Sequence, residues 1–119
     1  MSQHYLLSIV SVGLFSTDIK NTFRSLPSSL PVWIQYIIVA PKDVVQSLQL
    51  DPLLDHCDFV VDNHLGVYSA MNLGIDASKG SYLWFLNSGD FWNYSSFDDL
   101  FLLLSNSYKN NINFIFGKP

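Results

Sequence analysis

Residues 62–92, DNHLGVYSAMNLGIDASKGSYLWFLNSGDFW, read in order as a loop, a helix, a strand and an acidic turn. Val67, Met71 and Ile75 recur at four-residue spacing, which sets them on one face of a helix predicted over Val67 to Lys79. Gly80 stands where a left-handed cap would end that helix. Gly74 falls inside it, where glycine costs roughly 1 kcal/mol relative to alanine. Either the helix packs unusually close to a neighbour there or the penalty is tolerated. The apolar run Tyr82 to Leu86 then reads as a buried strand, central in its sheet, that delivers Asn87, Ser88, Gly89 and Asp90 to its carboxyl end. In open α/β sheets ligands bind at that end.

Working outward, the same alternation fills the chain. Leu6 to Val12, LLSIVSV, is too unbroken for a half-exposed strand and too short for a helix, so Tyr5 to Val12 is predicted to be a strand covered on both faces. Ser16 or Thr17 offers an oxygen to cap a helix over Asp18 to Leu26, with Asp18 complementing the helix dipole. Pro27, Ser28, Ser29 and Pro31 break the pattern. Trp33 to Val39, WIQYIIV, is a second strand, rich in β-branched and aromatic residues. Pro41 suits the first turn of a helix over Lys42 to Leu50, and Phe59 to Val61 is a short third strand. Beyond the acidic turn, Ser96 and Asp99 match a capping box for a helix running to about Ser107, with Leu100, Leu103 and Leu104 as its apolar face. Asn113 to Phe116 reads as a last strand. The fold class predicted is α/β, a Rossmann-like parallel sheet with right-handed crossover helices in a single unit over residues 1–119.

Composition narrows the function. The chain has 119 residues, a net charge of −4, ten Asp, no Glu and six Lys plus Arg, so it has no basic stripe for a phosphate backbone and nucleic acid is an unexpected partner. Hydrophobic residues make up 49% and mean hydropathy is +0.22. No apolar run approaches the roughly 18 residues of a membrane span, so the surplus is expected to cover an interface. Tyr5 to Phe15 lacks the basic region and cleavage site of a signal peptide. One cysteine, Cys57, excludes an internal disulfide and fits a reducing compartment, the cytoplasm by default.

On residue types alone, Asn87 to Asp90 is a tight turn. Its place after a buried strand makes Asp90 a candidate ligand for Mg²⁺ or Mn²⁺, hard cations that often take one or two protein oxygens and leave the rest to phosphate and water. The run Gly66 to Asp90, GVYSAMNLGIDASKGSYLWFLNSGD, resembles the signature of family 2 glycosyltransferases of the GT-A fold. There a glycine-led helix of the type G-[IV]-Y-x-A-M-N-x-G-I precedes a strand end of the type F-L-N-[SA]-[GD]-D. More loosely, LLSIVSV is similar to that family's first strand, IQYIIV to its second, and NFIFG to the strand after the acidic turn.

The resemblance implies a domain that binds a nucleotide-diphosphate sugar with Mg²⁺ or Mn²⁺ and transfers the sugar to an acceptor hydroxyl on a glycan or lipid-linked molecule, as in bacterial polysaccharide biosynthesis. Carried over by position, Asp90 is the metal-binding carboxylate, while Asn87, Ser11, Asp62 and Asn72 fall at nucleotide-sugar-binding positions. It further implies that the chain covers only the first, donor-binding half of such an enzyme, with the general base beyond Pro119 and a C-terminal half or self-association as partner. Peripheral membrane association is also implied. Departures from the pattern lie at Ala40 and Pro41, where an Asp usually follows the second strand, at His64, usually Asp, and at Leu14 and Phe15, usually Tyr and Asn. They favour the alternative of a non-catalytic binding or assembly module, and a flavodoxin-like binding domain is a third reading.

Other candidates have plainer readings. His56 and Cys57 are adjacent, so on a strand they point to opposite faces, and Cys57 is expected to be structural. His64 reads as a loop residue, and the Asp98 and Asp99 pair as charge at a helix N-terminus. Trp84, Phe85, Phe91 and Trp92 read as core, with stacking on a base or sugar as the alternative for Trp92.

Overall fold

The computed structural model describes residues 4–93 and 96–110. The elements are β1 (Tyr5–Val12), α1 (Ser16–Arg24), β2 (Ile34–Ala40), α2 (Lys42–Leu48), a 3₁₀ turn (Pro52–Leu54), β3 (Asp58–Val61), α3 (Val67–Ala77), β4 (Gly80–Phe85) and α4 (Phe97–Lys109). The strands form one parallel sheet in the order β3-β2-β1-β4, so the chain is α/β with a Rossmann-like parallel sheet, as the sequence predicts. The strand expected at Asn113 to Phe116 lies outside the described residues.

Strand alternation gives the sheet two apolar faces. Leu7, Ile9, Ile34, Tyr36 and Ile38 form a core with Ile19 of α1, Val45 and Leu48 of α2, and Phe97, Leu100 and Leu104 of α4. Val10, Ile37 and Val39 meet Ala70 of α3 on the other face, joined by Leu73 and Ala77. This division follows from the winding. The chain steps from β1 to β2 to β3 in one direction and then returns past β1 to place β4, so right-handed crossovers put α3 opposite α1 and α2.

Four expectations are corrected. α3 does not bury Val67, Met71 and Ile75: Val67 and Ile75 are exposed, and the buried residues are Ala70 and Gly74. Small residues let this helix lie close on the sheet, and a Cβ on Gly74 would stand 2.3 Å from Val10 Cγ1. Gly80 is no left-handed cap but the first residue of β4, where a Cβ would come within 2.5 Å of the Ser8 backbone nitrogen. α1 begins at Ser16 with Phe15 as its N-cap and no side-chain capping bond, because Ser16 and Thr17 are already inside the helix. β4 is an edge of the sheet among the described residues rather than a central strand, and its burial alternates instead of being continuous. At α4 the Ser96 side chain does cap, accepting from Asp99 N–H at 3.1 Å, although Leu103 is partly exposed.

One polar network was not visible in the sequence. Gln35, buried in β2, accepts from Ser8 Oγ (2.7 Å) and Lys79 N–H (2.8 Å) and donates to Asp58 Oδ2 (2.9 Å) and the Ala77 carbonyl (3.1 Å). Ser8 Oγ in turn accepts from Gly80 N–H at 2.8 Å. The amide thus ties the α3–β4 junction to three strands at the amino edge of the sheet. A buried amide with its hydrogen bonds met is inexpensive to hold, whereas an unmet one is not.

Candidate ligand cleft at the carboxyl edge of the sheet

A cleft of about 500 Å³ opens at the carboxyl ends of β1 and β4. Its walls are Val12, Gly13, Leu14 and Phe15 from the β1–α1 turn, Asp62, His64 and Gly66 from the loop after β3, Val67 and Ala70 from α3, and Asn87 and Ser88 from the acidic turn. This lies where the strand order reverses, between β1 and its out-of-sequence neighbour β4, the usual binding place in open α/β sheets.

Two helices start at this cleft. Phe15 is the N-cap of α1 and Gly66 that of α3, and neither helix has a side-chain capping bond. The first N–H groups of a helix have no partner within it and carry the positive end of its dipole, so an anion between the two ends would meet donors from both sides. Gly66 has φ 102°, a conformation that disfavours any side chain, and this gives the motif's leading glycine a physical reason. The loop before it is shaped by side chains. Asp62 Oδ1 accepts from His64 N–H (3.1 Å), Asn63 Oδ1 accepts from Leu65 N–H (3.3 Å) and Ser69 Oγ (3.2 Å), and His64 is held at φ 61°.

The acidic turn is closed on itself and fastened to β1. Asp90 N–H donates to the Asn87 carbonyl (2.8 Å), and Asp90 Oδ2 accepts from Asn87 N–H (3.2 Å). Gly89, at φ 95°, supplies the positive φ that a type II turn requires at its third position. Asn87 Oδ1 accepts from Val12 N–H (3.1 Å), and Ser88 N–H donates to the Val12 carbonyl (2.8 Å).

The predicted site residues therefore separate. Asp62 and Asn87 line the cleft together. Asp90 is exposed at its edge, on the same turn as Asn87 but not in the lining. Asn72 is exposed on α3 away from the lining. Ser11 is fully buried on the sheet face that carries Ile9, beside Tyr36, rather than in the cleft. The Ser11 and Tyr36 hydroxyls neighbour one another without reaching hydrogen-bond geometry. Burial pushes the Tyr36 phenol up, and the nearby Ser11 hydroxyl opposes that rise. Leu14, Phe15 and His64, where the sequence departs from the glycosyltransferase pattern, also line the cleft.

Trp92 is core: it stacks on Trp84 at a centroid distance of 4.7 Å and meets Phe97 edge-on at 5.3 Å. Cys57 is buried, with its thiol pushed up to about 12 by burial and, secondarily, by Asp58, which suits a structural residue rather than a nucleophile.

No protein-family model matches the chain, and a search of curated proteins returns no significant match. Among the described residues no helix is long and apolar enough to cross a membrane, and no three His, Cys, Asp or Glu side chains cluster as a metal site. The donors near the cleft, the carboxylates of Asp62 and Asp90, are hard oxygens of the kind that suit Mg²⁺ or Mn²⁺ rather than zinc, and such ions keep much of their shell for water and phosphate. Asp90, exposed on a closed turn, fits that role.

Proposed function

We propose that the cleft binds the diphosphate of a nucleotide sugar and that the chain is the donor-binding part of a glycosyltransferase acting on an acceptor hydroxyl of a glycan or lipid-linked molecule, in the cytoplasm. The observation that carries this reading is the convergence of two uncapped helix N-termini on a cleft at the carboxyl edge of a parallel sheet. The sequence likeness of Gly66 to Asp90 to the glycosyltransferase signature supplies the substrate class.

In this reading the first turns of α1 and α3 receive phosphate oxygens, and the apolar walls Leu14, Phe15 and Val67 exclude water from one side of the ligand. Asn87 holds the end of β1 against the acidic turn. Asp90 would hold Mg²⁺ or Mn²⁺, whose contribution when bound is to neutralise the charge of the departing diphosphate. Calorimetric titration of the full chain with UDP, GDP, CDP and dTDP, with and without Mg²⁺, tests the reading. Metal-dependent binding that Asp90→Ala abolishes is expected. No binding to any of the four, or binding that Asp90→Ala leaves intact, refutes it.

A second reading, a non-catalytic assembly module, is favoured by α4, which turns Phe101, Leu102 and Tyr108 to solvent. It predicts self-association in sedimentation velocity and no nucleotide binding.

A further inference from the structure

We infer that Thr22 of α1 and Ser25, the C-cap residue of that helix, are positioning residues that hold the far side of the acidic turn and thereby aim Asp90, an inference that rests on the donor-binding reading above. Val12 fastens the near side of the turn, through Asn87 and Ser88. The far side is held from α1. Thr22 Oγ1 accepts from Gly89 N–H at 3.2 Å, and Ser25 Oγ accepts from Trp92 N–H at 2.8 Å. These two bonds bracket Asp90, one residue before it and two after.

The arrangement is directional. Ser25 Oγ donates its proton to the Thr22 carbonyl at 2.6 Å, which leaves its lone pairs turned to Trp92 N–H. Thr22 is fully buried on the same face of α1 as Ile19, where an apolar residue would be the ordinary choice. A polar side chain kept there has a tertiary partner to satisfy, and that partner is the turn. The same helix opens at Phe15 on the cleft wall. One rigid element therefore sets both the phosphate-facing N–H groups of its first turn and the place of the carboxylate, the support from neighbouring side chains that a binding constellation needs.

Thr22→Val keeps the side-chain shape and removes the acceptor. With the full chain and the nucleoside diphosphate that binds best, the expected result is about a tenfold loss of affinity in Mg²⁺ and no change without metal. In an Asp90→Ala background, where the metal-dependent binding is already lost, the same substitution leaves the residual metal-free affinity unchanged, because the carboxylate it aims is gone. Thr22→Ser restores the metal-dependent affinity. Ser25→Ala gives a loss in the same direction and carries the test by itself should Thr22→Val not fold. A purely structural role would instead lower affinity equally with and without metal, and that result overturns the inference, as does metal-dependent binding unchanged in both Thr22→Val and Ser25→Ala. Failure of the unsubstituted chain to bind any nucleoside diphosphate overturns the donor-binding reading itself.

Discussion

Replacing Gln35 with Leu removes four hydrogen bonds at nearly constant volume. Each is worth about 1 kcal/mol net, and the one to the Asp58 carboxylate more, so the undiscounted loss is about 4–6 kcal/mol. Asp58 and Lys79 belong to exposed residues and regain water, whereas Ser8 is fully buried and its hydroxyl proton is left without an acceptor. After rehydration of the exposed groups, and a gain of about 1–2 kcal/mol from leucine's apolar surface, a destabilisation of about 2–3 kcal/mol remains. Against a typical urea dependence for a small domain, the unfolding midpoint falls by about 1–2 M. Ser8→Ala sharpens the test. It costs more in the unsubstituted chain than in Gln35→Leu, where Ser8 has already lost its acceptor, with a coupling of about 1 kcal/mol. Amide exchange at Lys79 and Gly80 speeds up in Gln35→Leu, since these N–H groups close on Gln35 and Ser8. A midpoint shift below about 0.3 M, or strict additivity with Ser8→Ala, would refute the claim that this amide locks the α3–β4 junction.

Gly74→Ala gains about 1 kcal/mol of helix propensity yet lowers stability by about 1–2 kcal/mol net, because the new Cβ meets Val10 Cγ1 at 2.3 Å. Urea titration reads the loss, and Val10→Ala relieves part of it. Tyr36→Phe removes a buried hydroxyl that makes no hydrogen bond within geometric limits among the described residues, with the Ser11 hydroxyl beside it, so the melting curve should show a change within about 1 kcal/mol. Cys57 has a folded pKa of about 12 against an ordinary 9.0, so its contribution to stability is complete below about pH 9 and is lost as pH rises toward 12. Cys57→Ala should flatten the alkaline decline of the urea midpoint over that window, and an unchanged slope would exclude the thiol as its source.

The fold was legible because its signal is carried by long apolar runs. Tyr5–Val12 is too continuous for a half-exposed strand and Trp33–Val39 is rich in β-branched and aromatic residues, and both fall on strands buried along most of their length. What escaped the sequence were features made by small or polar residues. The buried stripe of α3 runs through Ala70 and Gly74, and a reading weighted by side-chain size looks instead to Val67 and Ile75. Gly80 stands where either a helix cap or a close strand contact is sound local chemistry, and only the approach of Ser8 decides between them. Gln35 and Thr22 are polar residues in apolar settings, and their partners lie 42 and 67 residues away at the Ala77 carbonyl and Gly89 N–H. At the site, Asp62 and Asn87 were singled out by the resemblance of the glycine-led helix and acidic turn, and both line the cleft. Ser11 and Asn72 depend on side-chain direction, which spacing alone does not fix.

The tie between Val12 and Asn87 has a consequence for how the molecule assembles. The Ser8–Gln35 bond between β1 and β2 spans 27 residues, whereas the Val12–Asn87 bond that joins the two sides of the cleft spans 75. Closing the longer loop costs about 0.9 kcal/mol more chain entropy, so the three-stranded part carrying β1, β2 and β3 is the less costly to close and β4 docks onto it. A chain halted at that stage has much of its sheet but no cleft, since Asn87 and Ser88 have not arrived. Under the proposed donor-binding reading, ligand occupancy would count only molecules whose β4 is in place, and a ligand in excess would draw the population toward that completed form.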